Sequence, residues 1–386
     1  MKTNFKFCLA ALLFAGMSAQ AQTIDEYANC TGGGTDNGIQ FGDSYFNTFF
    51  GVEAGRNIVN KEKGRNNSFF GHQAGRATVG GSTVVAGVYS GSDNSFFGNL
   101  SGTKTTTGYY NVFVGSNAGG SNTTGYTNTF LGNQSGALNT TGIENLFFGH
   151  AAGYNNTSGG WNICLGNASG YNLSSGGGNI FIGHAAGNAT TTALGNTYIG
   201  FGAGQNATGE YSVFLGSEAG KNETTSRKLY IDNSSTANPL IWGDFTADQL
   251  KFHGKVGIGG NSSTAFGAFP TTAGGVSVSN YNLFVKGGIL TEEVRVNLTS
   301  GGTWADYVFE EDYDLKPLSE VKRFIDENGH LPNVPSAAEV KRDGIELGNM
   351  AKIQQEKIEE LTLYLIQQQK EIDELKAQVK ALIEKR

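Results

Sequence analysis

Three of the five histidines, His72, His150 and His184, fall on one position of a recurring nine-residue pattern, just after its first glycine. Imidazoles at matched places raise the question of a metal site. His150 and His184 are two repeats apart, which at the spacing of stacked strands is roughly 10 Å, too far to share an ion. The expectation is instead a polar edge position, filled by Asn or Ser in other copies. His253 and His330 are isolated, and the familiar zinc-ligand spacings are not present. Glycoside hydrolysis needs two carboxylates held across a cleft. Glu53 and Glu218 share one repeat position but stand at opposite ends of the repeats. The stretch "GGGTDNG" (32–38) has neither a phosphate-loop lysine nor a dinucleotide-fold context and reads as a leader. Of three cysteines Cys8 falls within the expected signal peptide (residues 1–21), and the remaining Cys30 and Cys164 are too few and too distant for a disulfide framework. Cys164 stands where other copies hold Phe or Tyr, so it reads as a small buried hydrophobe. No catalytic residue, cofactor or metal ligand is assigned, and an enzyme is not expected.

The pattern that carries these residues is the informative feature. Its copies read "NTFFGVEAG" (47–55), "NSFFGHQAG" (67–75), "NSFFGNLSG" (94–102), "NVFVGSNAG" (111–119), "NTFLGNQSG" (128–136), "NLFFGHAAG" (145–153), "NICLGNASG" (162–170), "NIFIGHAAG" (179–187), "NTYIGFGAG" (196–204) and "SVFLGSEAG" (212–220). Gly98, Gly115, Gly132, Gly149, Gly166, Gly183 and Gly200 are each 17 residues apart. A fixed short period of this kind specifies a solenoid. Seventeen residues are too few for a helical pair, and Gly is a poor helix residue. The apolar pair before the glycine suits a strand. Each repeat is therefore expected to be one coil: a short strand, a glycine turn, a second short stretch near the Ala or Ser, and a polar return rich in Asn, Thr and Gly.

Matched Asn residues at 111, 128, 145, 162, 179 and 196 are expected to form an amide ladder along the stack, as in other stacked strands. The second glycine of each copy is expected at positive φ. Adjacent strand residues point to opposite faces, so pairs such as Phe147–Phe148 put apolar groups on both. One face fills the coil; the other needs a cover, which identical coils gathered about an axis would supply. Thr-rich returns ("NTTG", "NTSG", "NLSS", "NATT") raise ice binding, but they read as drifting relative to the glycine, so that function is not expected.

Composition agrees with an ordered fibre. Of 386 residues 58 are Gly and only 5 Pro, which excludes collagen, and 11% are aromatic, which excludes disorder. The net charge of −7 speaks against nucleic acid and against an electrostatic membrane dock. Residues 1–21 read as a signal peptide: Lys2 and Lys6, an apolar core too short to span a bilayer, and Ala19-Gln20-Ala21. A leader (22–46), the repeats (47–225), a β-rich connector (226–300), a small α/β segment (301–349) and a helix (350–386) follow. No membrane span is expected.

In the last part, "LSEVKRFIDENG" (318–329) is expected to be helical, capped by Ser319 and stopped by Gly329. "SAAE" (336–339) is a capping box. Ile358, Leu365, Ile372 and Val379 are seven apart, and Leu361, Gln368, Leu375 and Leu382 are their partners at the second core position. That is a coiled-coil seam with one polar core residue, Gln368, which would set register. An amphipathic helix packed on its own domain is the alternative, and by the seam rule branched residues at one position with mostly Leu at the other also permit a dimer.

The repeats resemble the head domains of trimeric autotransporter adhesins, left-handed parallel β-rolls, on the strength of "SVFLGSEA" (212–219) and "NIFIGHAA" (179–186). The likeness implies a homotrimer. The 17-residue unit is longer than in that family, and no segment resembles its membrane barrel, so anchoring by that route is not expected. Residues 283–386 resemble the assembly module of secreted bacterial fibre proteins and, distantly, phage tail-spike chaperones that cleave themselves. In "EDYDLK" (311–316) Asp312, Leu315 and Lys316 are kept, but Glu311 replaces the nucleophilic Ser, so self-cleavage is not expected. The resemblances together imply an exported, extracellular or outer-surface trimeric adhesin of a Gram-negative-type bacterium. Its partners would be itself and a surface ligand, a glycan or a host or matrix protein. A fibre without a receptor and a solenoid enzyme acting on polysaccharide are the alternatives.

Overall fold

The computed structural model describes residues 39–40, 46–58, 64–79, 90–259, 269–273, 276–297 and 304–385. The signal-peptide reading, most of the leader and Cys30 lie outside these residues. The chain divides between His253 and Gly254 into two compact units.

The first unit is a parallel β-solenoid of the expected period. After β1 (Ile39–Gln40), which pairs antiparallel with the first coil, each repeat contributes one three-residue strand. These are β2 (Thr48–Phe50), β3 (Ser68–Phe70), β4 (Ser95–Phe97), β5 (Val112–Val114) and β6 (Thr129–Leu131). The stack continues through β7 (Leu146–Phe148), β8 (Ile163–Leu165), β9 (Ile180–Ile182), β10 (Thr197–Ile199) and β11 (Val213–Leu215). Every residue faces its equivalent in the next coil, for example Phe113, Phe130 and Phe147. The longer first intervals of the repeat cause no slip in this register.

Alternation along each strand decides the core. The middle residue is buried and the two flanking residues point outward. Phe69, Phe96, Phe113, Phe130 and Phe147 stack with centroids 4.8–4.9 Å apart, one ring per coil. Two glycines make the next turn feasible. Gly119 has φ +57°, and a Cβ there would meet the Phe113 ring at 2.5 Å. Gly115 has φ +139°, and its Cβ would fall 2.3 Å from the carbonyl oxygen of Gly132.

On the side of the coil opposite the strand, the short stretch expected near the Ala or Ser is itself built of turns. Ala118 N–H bonds Gly115 C=O and Asn122 N–H bonds Gly119 C=O within a coil, while Gly119, Ser121 and Thr123 bond the next coil. Helical i→i+3 closure and coil-to-coil bonding alternate, so the backbone is satisfied without an extended segment.

Each coil interior holds one strand residue and one residue nine positions later, and their sizes trade off. Phe113, Phe130 and Phe147 pair with Asn122, Asn139 and Asn156, all buried. Cys164 is small and pairs with Leu173; Tyr198 is large and pairs with Ala207. Interiors are close-packed, so a volume change at one place asks for the opposite change at the other.

The sequence changes style near residue 226, but the sheet does not stop there. β12 (Lys228–Ile231) adds in parallel, and β13 (Ile241–Asp244) and β14 (Gln249–Phe252) return antiparallel, completing a 14-stranded sheet.

The second unit contains two small strand pairs, β15 (Val256–Ile258) with β18 (Leu283–Val285) and β16 (Thr272–Ala273) with β17 (Val276–Ser277). A short 3-10 turn (Ala305–Phe309) and three helices follow: α1 (Leu318–Asn328), α2 (Ala337–Asp343) and α3 (Leu347–Glu384). Pro317, not Ser319, occupies the N-cap of α1, because a fixed φ at the helix entrance starts it two residues earlier; Gly329 ends it in the left-handed conformation. Ser336 and Glu339 form the capping box of α2.

Candidate interaction surface

The outward strand positions form the solenoid's most apolar surface. Down the stack the third strand position reads Phe50, Phe70, Phe97, Val114, Leu131, Phe148, Leu165, Ile182, Ile199 and Leu215. The first position is polar in the first three coils and later alternates, with Val112, Leu146, Ile163, Ile180 and Val213 interrupted by Thr129 and Thr197. Both positions share one face, so the stripe is two side chains wide. Phe148 is 57% and Phe50 51% exposed, and Phe70 stacks on Phe97 at 5.0 Å. The single chain buries one of the two apolar ranks and leaves the other half-buried to exposed.

Beside this face run the asparagines that hold the coils in register. Asn111, Asn128, Asn145, Asn162, Asn179 and Asn196 are all buried. Asn145 Nδ2 donates to Asn128 Oδ1 (3.1 Å) and to Gly159 C=O (2.8 Å). Its own Oδ1 accepts from the Asn162 backbone N–H and Nδ2, each at 3.1 Å. The same pattern links Asn94 through Asn179, and Asn196 and Ser212 end it through their backbone N–H groups. A second ladder was not anticipated. Asn139 Nδ2 donates to Asn122 Oδ1 at 2.8 Å, and Asn156 Nδ2 to Asn139 Oδ1 at 2.7 Å. Its signal is the 17-residue spacing of Asn in "NTTG" and "NTSG", a residue that turn chemistry also favours.

The motifs of the returns drift, but one hydroxyl position within them does not. Thr106, Thr123, Thr140, Thr157 and Ser174 stand in one rank, and each side-chain hydroxyl donates to the backbone carbonyl one coil on. The hydroxyl hydrogens are thereby committed to stacking the coils.

The residues first weighed for chemistry fall apart in space. His72 and His150 are exposed and reach only Asn99 (3.2 Å) and Asn167 (3.5 Å) of the next coil, and His184 stacks on Phe201. Glu53 is held by Arg56, Arg76 and Gln73; burial would raise its carboxyl, but these partners outweigh that and hold it low. Glu218 pairs with Lys221 at 2.6 Å. Cys164 is buried, and desolvation pushes its thiol well up. Glu311 and Asp312 are exposed, and Lys316 pairs with Glu320 at 3.3 Å. Among the described residues no three His, Cys, Asp or Glu side chains gather as metal ligands.

In the second unit, α3 has two distinct faces. One packs on its own chain through polar groups. Tyr307 donates to Glu356, Tyr313 to Glu360 at 2.6 Å, and Tyr364 to the Lys316 carbonyl at 2.5 Å. Lys357 lies between Glu356 (2.9 Å) and Glu360 (2.8 Å). The opposite face carries the heptad residues. Ile358, Leu361, Leu365, Ile372, Leu375, Val379 and Leu382 are all exposed, as is Gln368. The helix therefore does pack on its own domain, but not through the seam. A shallow groove lined by Ile372, Leu375, Val379 and Ile383 runs along that seam.

Comparison with protein-family models, with curated proteins and with solved structures gave no match. Among the described residues no helix is long and apolar enough to cross a membrane.

Proposed function

We propose that the protein is an exported, non-enzymatic, homotrimeric fibrous adhesin whose solenoid is the binding head and whose α3 helices zip three chains together. One observation carries the reading: each unit presents a continuous apolar rank that its own chain leaves uncovered, the outward strand face in the first and the heptad seam in the second. Covering a half-exposed Leu, Ile, Val or Phe contributes roughly 1 kcal/mol, about half of full burial, so ten rungs and four heptads favour self-association strongly. A parallel solenoid and a heptad helix both repeat along one direction, which suits a parallel bundle. The copy number of three comes from the likeness to trimeric adhesin heads. In this reading Gln368 fixes the helix register, and threefold display makes ligand binding multivalent.

Glycan-array retention measured beside a polysaccharide-hydrolysis assay tests the functional part. Retention without turnover is the expected result. Turnover of any polysaccharide would assign the solenoid to an enzyme, and no retention on glycans or matrix proteins would leave a fibre without a receptor.

A further inference from the structure

The corner that precedes each ladder Asn carries one residue per coil in a single column: Tyr110, Thr127, Glu144, Trp161, Gly178, Gly195 and Tyr211. Side chains in such columns stack on one another. In the adjoining column Tyr109 lies on Tyr126 with centroids 4.8 Å apart and planes 2° apart. Trp161 breaks the rule. It is 62% exposed, and the residue that should lie on its indole is Gly178, whose added Cβ would meet nothing within 4 Å. A Cβ at neighbouring Gly177 would just touch Trp161 and Leu194, at 4.0 and 3.8 Å. One rung is thus empty beside an exposed indole.

Both ends of the gap are fixed. From one side Trp161 Nε1–H donates to Glu144 Oε2 at 3.0 Å, which sets the ring's orientation. On the other side the Tyr211 ring folds back over Gly195, where a Cβ would meet it at 2.6 Å. The Arg227 guanidinium holds the tyrosine from the far side, 5.6 Å from its centroid. From the level of Trp161 to that of Gly195 is two rungs, roughly 10 Å, which admits one flat six-membered ring between the aromatic groups.

We propose that this slot binds one pyranose ring of a β-1,4-linked glycan; the inference rests on the adhesin reading and names its ligand class. A pyranose with equatorial substituents shows axial C–H groups on both faces, and these suit the negative faces of aromatic rings. The Glu144 carboxylate that holds the indole edge offers an acceptor to a rim hydroxyl at that end. An anionic ring would meet Glu144 and a chain of net charge −7, so a neutral sugar is the better match.

Cellotetraose and chitotetraose, titrated into the full chain by calorimetry and by tryptophan fluorescence, are the probes. At least one is expected to bind with one site per chain. Trp161→Ala and Tyr211→Ala each weaken binding at least tenfold. Gly178→Tyr abolishes it by filling the slot, in a backbone conformation that Tyr110 already adopts in this column (φ +55°). Tyr154→Ala, in a different stacked rank, leaves affinity within twofold. Circular dichroism and mass are unchanged in all four. Failure of both tetrasaccharides to bind the wild type overturns the proposal. Binding that survives Trp161→Ala and Gly178→Tyr also overturns it, while leaving the adhesin reading intact. Capture of a tryptophan-containing peptide in place of either sugar would reassign the slot to protein ligands and overturn the sugar assignment.

Discussion

Replacing Asn145 by Ala probes the ladder that sets the coil register. The side chain makes four hydrogen bonds: to Asn128 Oδ1, to Gly159 C=O, and from the backbone and side-chain amides of Asn162. Most partners keep a second bond. Asn128 Oδ1 still accepts the Asn145 backbone N–H, Gly159 C=O still accepts from Asn156, and Asn162 Nδ2 still donates to Gly176. The Asn162 backbone N–H alone is left buried and orphaned. One orphan and the net loss of three ordinary bonds, at about 1 kcal/mol each, sum to about 4 kcal/mol. Guanidinium unfolding followed by circular dichroism should show that loss with an unchanged m-value. Asn133→Ala is the control: exposed, with only a 3.5 Å contact to Ser116, it should change stability by less than about 0.5 kcal/mol. A loss below about 1 kcal/mol for Asn145→Ala would refute the claim that the amide column holds the stack.

Further outcomes follow from the packing and the electrostatics. Cys164→Phe alone should destabilise by about 1–3 kcal/mol through overpacking, and Leu173→Asn in the same chain should recover most of it; additive losses in a double-mutant cycle would contradict the volume trade. Tyr198 buries a hydroxyl without a hydrogen-bond partner, so Tyr198→Phe should stabilise by about 1 kcal/mol, and a loss of stability would show that the hydroxyl is satisfied. In the second unit the bond to Glu356, with burial, pushes Tyr307 up to about 12. Burial alone would raise the Glu356 carboxyl, but bonds from Tyr307 and Lys357 outweigh it and hold it below its ordinary range. The raised tyrosine contributes stability that is present below its ordinary pKa of about 10 and lost as pH rises toward its folded value. The lowered carboxylate contributes stability present above its ordinary value of about 4.3 and lost in acid. Tyrosinate absorbance should therefore shift toward neutral pH in Glu356→Gln; an unshifted titration would remove the pairing.

The legible parts of the molecule were those set by one-residue periodicities. Apolar Phe113 between outward Val112 and Val114 follows from strand alternation, and the spacing of the glycines fixed the coil. The long C-terminal helix was equally readable from its apolar period. The return was legible as turns, but its second amide ladder was missed because Asn122 and Asn139 are good turn residues and also pack in register; composition cannot separate the two, whereas stacking of identical turns requires both. The empty rung at Gly178 could not be found from a single repeat. It shows only when Trp161, Gly178 and Tyr211 are placed in one column, which needs the register of the whole stack. Ser319 lost to Pro317 as the helix start because the proline already fixes the entering φ.

Self-association through the two open apolar ranks is the central claim, and the mass of the full chain in solution tests it most directly. Light scattering on the full chain should give three times the chain mass, and Leu365→Asp with Leu375→Asp should lower it. A wild-type mass equal to one chain across the micromolar range would contradict the account.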